Sequence, residues 1–136
     1  MSPDKIIAQM LENDNFSKWL GIKLIKTSVG YCKLNCKVKK DVLNGFGIAH
    51  GGFTYSIADS ALAFASNSTG FKSLSIETSI SHIKKITENE LVIVEAKLLH
   101  ENSKFGYYEI NLSCKKETIA LFKGTVYKTD KKWVTQ

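Results

Sequence analysis

Apolar residues recur at Ile6, Ile7, Met10 and Leu11, the three-to-four spacing of a single helix face. Ser2-Pro3 stands directly ahead of them. A serine there can accept from a first-turn amide, and a proline is already set at helical φ, so the spacing predicts a short helix opening at this pair. Phe16, Trp19 and Leu20 follow before Gly21 and are expected to anchor the end of this N-terminal helical segment, residues 1–20. From Ile22 to Val38 the period changes to alternation, broken at Gly30, which predicts a hairpin of two strands. Leu34, Cys36 and Val38 share one face of the second strand, while Lys33, Lys37 and Lys39 take mainly the other.

The loop from Leu43 to Gly52 carries Gly45, Gly47, Gly51 and Gly52. Beyond it Phe53, Ile57, Ala58, Ala61, Leu62, Ala63, Phe64 and Ala65 crowd one run that ends near Thr69-Gly70. The run is too long for a strand and its apolar residues keep to no single stripe. Such a segment is a buried helix, expected over residues 51–69. Alternation then returns, with strands expected at Leu74–Ile83, Leu91–Glu101, Phe105–Lys115 and Ile119–Lys128. Short polar turns separate them. A hairpin, a long buried helix and an antiparallel meander make one α+β domain, 1–136, in which five to six strands wrap one central helix. The open edge of such a sheet invites a second copy.

Composition changes this picture little. With 136 residues, 43% of them hydrophobic and 24% charged, the chain is ordinary globular material. Neither a signal-peptide stretch nor a bilayer-length apolar run is present, so a soluble, cytoplasmic protein with no membrane partner is expected. Cys32, Cys36 and Cys114 make no Cys-x-x-Cys pair, and His50, His82 and His100 complete no zinc pattern, so neither metal nor disulfide is expected. The net charge of +6 favours anionic partners. Its lysines are dispersed, however, which argues for a solvated face and against a nucleic-acid platform.

Asp59 is the one charged residue between His50 and Lys72, and it falls in the middle of the buried run. A carboxylate without water costs several kcal/mol unless paired, so Asp59 is either a working group or a structural residue facing a polar gap or a subunit seam and bonded by neighbouring serines. His50-Gly51-Gly52 marks the helix entrance. Helix N-termini present unpaired N–H groups and roughly half a unit of positive charge, which suits an oxyanion; equally, the pair of glycines can be a tight turn.

Asn44-Gly45, His50-Gly51-Gly52 and Ile57-Ala58-Asp59-Ser60-Ala61 together resemble the signature of the hotdog-fold acyl-CoA thioesterases, nearest the phenylacetate-degradation (PaaI-type) branch. The likeness continues through Asn67, Ser75 to Ile83, Gly106-Tyr107 and Ala120 to Thr125. It implies hydrolysis of an aryl or other small acyl-CoA, with a medium- or long-chain acyl group or a non-catalytic acyl-CoA-binding protein as alternatives. It also implies a homodimer, often paired into a homotetramer, and no cofactor, coenzyme A being part of the substrate. By position Asp59 matches the carboxylate that activates water or attacks the thioester. Gly51 matches the backbone N–H that binds the thioester oxygen, and Asn44 the amide that orients carbonyl or water. His50 has a positional part beside them, and Ser75 a hydroxyl that holds the water. Gly52 is expected to touch the substrate.

Phe46 stands where relatives often carry a polar residue, and Lys85 replaces a frequent proline; both departures touch the acyl pocket or a loop. Lys84, Lys85 and Lys104, at strand ends or turns, are the candidates for the phosphates of coenzyme A. A hydratase would need a second acid or base near Asp59, and the sequence shows none. Finally, Gly51 and Asp59 lie eight residues apart, about 12 Å along a helix at ~1.5 Å per residue. An attacking atom must come within about 3–3.5 Å of its carbon. The spacing therefore favours a site shared between two chains over one that a stretched water bridges.

Overall fold

In the structure, a computed structural model describing residues 1–135, Ser2 caps the first helix with its hydroxyl, which accepts from Lys5 N at 3.3 Å. Helix α1 (Pro3–Asn13) buries Ile6 and Ile7. A second helix, α2 (Asn15–Leu20), starts at once because Asp14 caps it, accepting from Ser17 N at 2.9 Å. It stops at Gly21, whose φ of +84° only glycine adopts without strain. Leu20 is buried as expected. Phe16 and Trp19 are not: they stand 55% and 52% exposed, so they do not anchor the segment.

Six strands follow: β1 (Lys23–Ser28), β2 (Tyr31–Lys37), β3 (Phe71–His82), β4 (Leu91–Glu101), β5 (Phe105–Cys114) and β6 (Glu117–Lys132). They form one antiparallel sheet in the order β1-β2-β4-β5-β6-β3. The last hairpin is tighter than the sequence implies. Lys115 and Lys116 turn it with φ of 51° and 66°, the doubly left-handed geometry of a two-residue hairpin, without the Asn-Gly that usually announces one. Cys32, Leu34, Cys36 and Val38 alternate into the core and are fully buried, which makes Cys32 and Cys36 packing residues.

Helix α3 (Gly51–Asn67) lies across β2 to β6, ending two residues before the expected 69. Ile57, Ala58, Ala61, Leu62, Phe64 and Ala65 are completely buried on it. One stripe stays open: Gly52, Ser56, Asp59 and Ala63, at i, i+4, i+7 and i+11. Gly124 on β6 lets the helix sit low, since a Cβ there would come within 2.4 Å of Leu62 Cδ2.

The two sheet edges differ. Along β1 runs α1, joined to it by a bond from Thr27 to Asp4. No strand of the described chain covers β3, where Leu74 and Ile76 are 67% and 58% exposed. Within β3 the register with β6 slips: Ser75 faces Val126 but Glu77 faces Thr125, so Ile76 is an extra, bulged residue. Ser73 and Ser75 before it, and Thr78, Ile80 and His82 after it, consequently share the helix side of the sheet with Val126, Gly124, Phe122 and Ala120.

Candidate functional site

Asp59 sits half-buried on the open stripe of α3 and accepts no hydrogen bond from any described residue. The expected bonding by neighbouring serines therefore fails, because they bond elsewhere. Ser56 donates to Gly52 O at 2.6 Å, and Ser60 pairs with the buried Ser17 hydroxyl at 2.8 Å. Burial raises the Asp59 pKa, and the nearby Asp14 carboxylate raises it further. Nothing in the order of residues marks Asp14 as a neighbour, and the expectation that no second carboxylate stands near Asp59 is wrong. Asp14 is fixed there by its α2 cap and by the Ser17 hydroxyl, which donates to it at 2.6 Å.

At the helix entrance His50 is the cap. Its Nδ1 accepts from Gly52 N at 2.8 Å and its carbonyl accepts from Phe53 N at 2.9 Å. Neutral His50 must then carry its proton on Nε2. Since Gly52 N–H is spent on His50, Gly52 cannot offer it to a substrate. Gly51 N–H donates to no acceptor among the described residues, and it is the free amide of this pair.

Asn44 lies close by in a loop that it builds itself. Its Oδ1 accepts from Phe46 N at 2.9 Å and from Ile48 N at 3.3 Å. Only its Nδ2 amide remains to meet a ligand, so Asn44 is a donor here. Phe46, at the loop tip, is 90% exposed and lines no acyl pocket in this chain.

Asn44, Gly51, His82, Lys84 and Lys85 line one cavity of about 290 Å³. His82 is the member that sequence reasoning missed. Its ring stands over Gly51, 3.4 Å from where a Cβ would be, which places an imidazole at the mouth of the free amide. Alternation through β3, corrected for the bulge, is the signal that could have found it. Lys84 is held by Glu117 at 2.5 Å, a surface pair of little energetic weight, whereas Lys85 has no ion pair among the described residues.

A second cavity, of about 200 Å³, opens on the other side of the helix start, between α2 and α3. His50 and Gly52 belong to its wall, with Phe16, Trp19 and Phe53 beside them.

Two expected members stand apart. Ser75 is exposed on the bare edge strand and lines neither cavity. Lys104 flanks a separate hollow with Phe71 and Tyr127, beyond the far end of the 12-residue strand β3, about 36 Å from His82 at ~3.3 Å per residue. Within one chain, Lys104 cannot share a substrate's phosphates with Lys85. Asp59 does not line the cavity that holds Gly51 and Asn44 either.

The family model described as the thioesterase superfamily matches residues 46–120, from the Asn44 loop through α3 to β6. A putative esterase of Archaeoglobus fulgidus is 38% identical over 93% of this chain and 83% of its own length. The acyl-coenzyme A thioesterase PaaI of Escherichia coli is 32% identical over 85% of this chain and 83% of its own. The solved structure of the E. coli PaaI protein superimposes with a TM-score of 0.93, at 28% identity, over 96% of this chain and 95% of that one. With one antiparallel sheet on one central helix, a free amide at that helix's start and an unpaired carboxylate along it, this chain is a hotdog-fold thioester hydrolase and belongs to the thioesterase superfamily.

Proposed function

We propose that the protein hydrolyses an aryl acyl-CoA, of the phenylacetyl or hydroxyphenylacetyl kind, to the free acid and coenzyme A. The carbonyl oxygen of the thioester accepts from Gly51 N–H and from the Asn44 Nδ2 amide, and His50 holds the helix start in place. Water attacks the carbonyl carbon while Asp59 takes its proton. The tetrahedral oxyanion collapses, the carbon–sulfur bond breaks, and the coenzyme leaves as a thiol with the proton that Asp59 had taken. Asp59 serves as general base because burial and the Asp14 charge make it more basic than an ordinary carboxylate, which improves proton abstraction.

The observation that carries this reading is the unpaired Asp59 carboxylate on the same helix whose first amide is free. Eight residues of helix separate those two groups, which favours a site built by two chains over one that a stretched water bridges. We take the uncovered β3 edge as the seam, where antiparallel pairing with a second copy would bring one chain's Asp59 and Ser75 towards the Gly51 and Asn44 of the other. The PaaI relative is named an acyl-coenzyme A thioesterase, which supports the acyl-CoA substrate, and its solved structure is that of a protein from a phenylacetic acid degradation operon, which supports the aryl group.

Thiol release measured over aryl and fatty acyl-CoAs tests the substrate, with phenylacetyl-CoA turning over fastest. Asp59→Ala should lose nearly all turnover and keep its fold; binding without thiol release by the unmutated protein would sink the enzyme reading. Mixing a Gly51→Pro chain, which lacks the amide, with Asp59→Ala chains should restore activity in hybrid dimers. A single turnover in oxygen-18 water should place solvent oxygen in the acid; unlabelled acid would make Asp59 the nucleophile.

A further inference from the structure

The geometry points to the cavity between α2 and the start of α3 as the subsite for the acyl group, with Phe16 and Trp19 making it selective for aryl rings. This inference rests on the thioesterase reading above and names where the two halves of its substrate lie.

The helix start divides two unlike spaces. On one side are Asn44, Gly51, Lys84 and Lys85, polar and basic. On the other are Phe16, Trp19, Leu20, Val42 and Phe53, with Asp41 at the rim. An acyl-CoA is equally two-sided about its thioester: one half ends in phosphates, the other is an uncharged acyl group. Lys84 and Lys85 attract the first half, whereas the second wall is mainly apolar, with Asp41 and the Lys39 ammonium offsetting each other at its rim, so a thioester held at Gly51 N–H sends its acyl group towards α2. His50 and Gly52 form part of the wall of this second cavity, so the acyl carbon needs no tunnel to reach it.

Size and surface narrow the occupant. A space of about 200 Å³ lies below the ~300 Å³ at which clefts begin to enclose drug-sized ligands. It takes a ring or a short chain and leaves a long fatty tail outside. Phe16 and Trp19 stack on each other with centroids 6.2 Å apart and planes 15° from parallel, yet each is more than half exposed. The Lys39 ammonium stands over the Trp19 ring, 4.9 Å from its centroid. Two rings held in parallel at the edge of an apolar hollow present faces and edges to a third ring, the contact that aromatic groups favour over plain burial. Both residues precede the stretch that matches the family model, so this selectivity lies in the N-terminal helical segment.

The test compares the full-length protein with Phe16→Ala/Trp19→Ala on three substrates. For phenylacetyl-CoA kcat/KM should fall at least tenfold, for acetyl-CoA less than threefold, and Trp19→Phe should keep most of the phenylacetyl-CoA activity. Equal losses on both substrates, or none, would overturn the assignment, as would a wild-type preference for decanoyl-CoA over phenylacetyl-CoA. A protein that hydrolyses none of them refutes the thioesterase reading instead, and a second measurement still judges the cavity. In Trp133→Phe/Asp59→Ala, checked for fold by circular dichroism, Trp19 is the one remaining tryptophan. Its emission should change saturably with phenylacetyl-CoA and not with coenzyme A alone. No change, or the same change with coenzyme A, overturns the subsite.

Discussion

Replacing His50 separates holding the helix start from proton transfer. In the structure the imidazole Nδ1 accepts one bond, from Gly52 N at 2.8 Å. His50→Ala removes that acceptor and returns an exposed Gly52 N–H to water, so the loss is that of a helix cap, about 0.5–2 kcal/mol. Because water replaces the lost partner, the lower half of that range applies, about 1 kcal/mol, or a fall in Tm of about 3–5 °C for a domain of this size. Asparagine is itself a preferred cap, so His50→Asn should recover all but a few tenths of a kcal/mol. The assay is thermal melting beside kcat/KM for phenylacetyl-CoA. If His50 only holds the amides, activity follows stability: a modest deficit in the alanine variant, of less than about tenfold, and near-complete recovery in the asparagine variant. A histidine acting as general base would cost about 10²–10⁴-fold in either variant. An Asn variant with native Tm and a hundredfold loss would therefore refute the argument.

Asp59→Asn should be more stable than the wild type at neutral pH. The folded state holds the Asp59 proton more tightly than the unfolded one, so stability declines as pH rises from the ordinary value of 3.8 through the raised folded value, and the advantage of Asn disappears below that window; urea melts at several pH values check this. Asp14→Asn keeps a capping oxygen but removes the neighbouring charge, so the acidic limb of the kcat/KM profile should move to lower pH, while Asp14→Glu should leave it nearer the wild type. Gly124→Ala forces a Cβ to within 2.4 Å of Leu62 Cδ2 and should cost about 1–3 kcal/mol, part of which Leu62→Val should recover in the double variant, read by denaturant melts.

Elements whose periodicity is strong were legible in the chain. Strand β4 runs from Leu91 to Glu101, where alternation places it, and the crowded apolar residues of α3 are as buried as their pattern requires. The local part of the candidate site could be picked out as well, because Asn44, His50, Gly51 and Asp59 lie within sixteen residues of one another along a loop and one helix. What depended on distant pairing was not. Phe16 and Trp19 look like core residues at helical spacing, but a two-turn helix cannot bury every side, and here Ser17 and Leu20 take the inside. Asp14 reaches Asp59 only through the docking of α2 on α3. Lys104 looks like any turn lysine, and nothing local says that its turn lies beyond the wrong end of the sheet.

The bulge at Ile76 decides what a single deletion would do. Ser75 and His82 are seven residues apart, which in a strand of strict two-residue periodicity would give them opposite orientations; the extra residue cancels that odd spacing and turns both to the helix side. Removing Ile76 itself would leave them six apart in an unbulged strand, still on one face, and take out only the local bend. Removing one residue from the stretch 77–81 while the bulge stays would instead swing the imidazole off Gly51 and onto the outer surface. The odd spacing and the bulge must be kept or lost together, and along this stretch chain length is as much a part of the candidate site as any side chain.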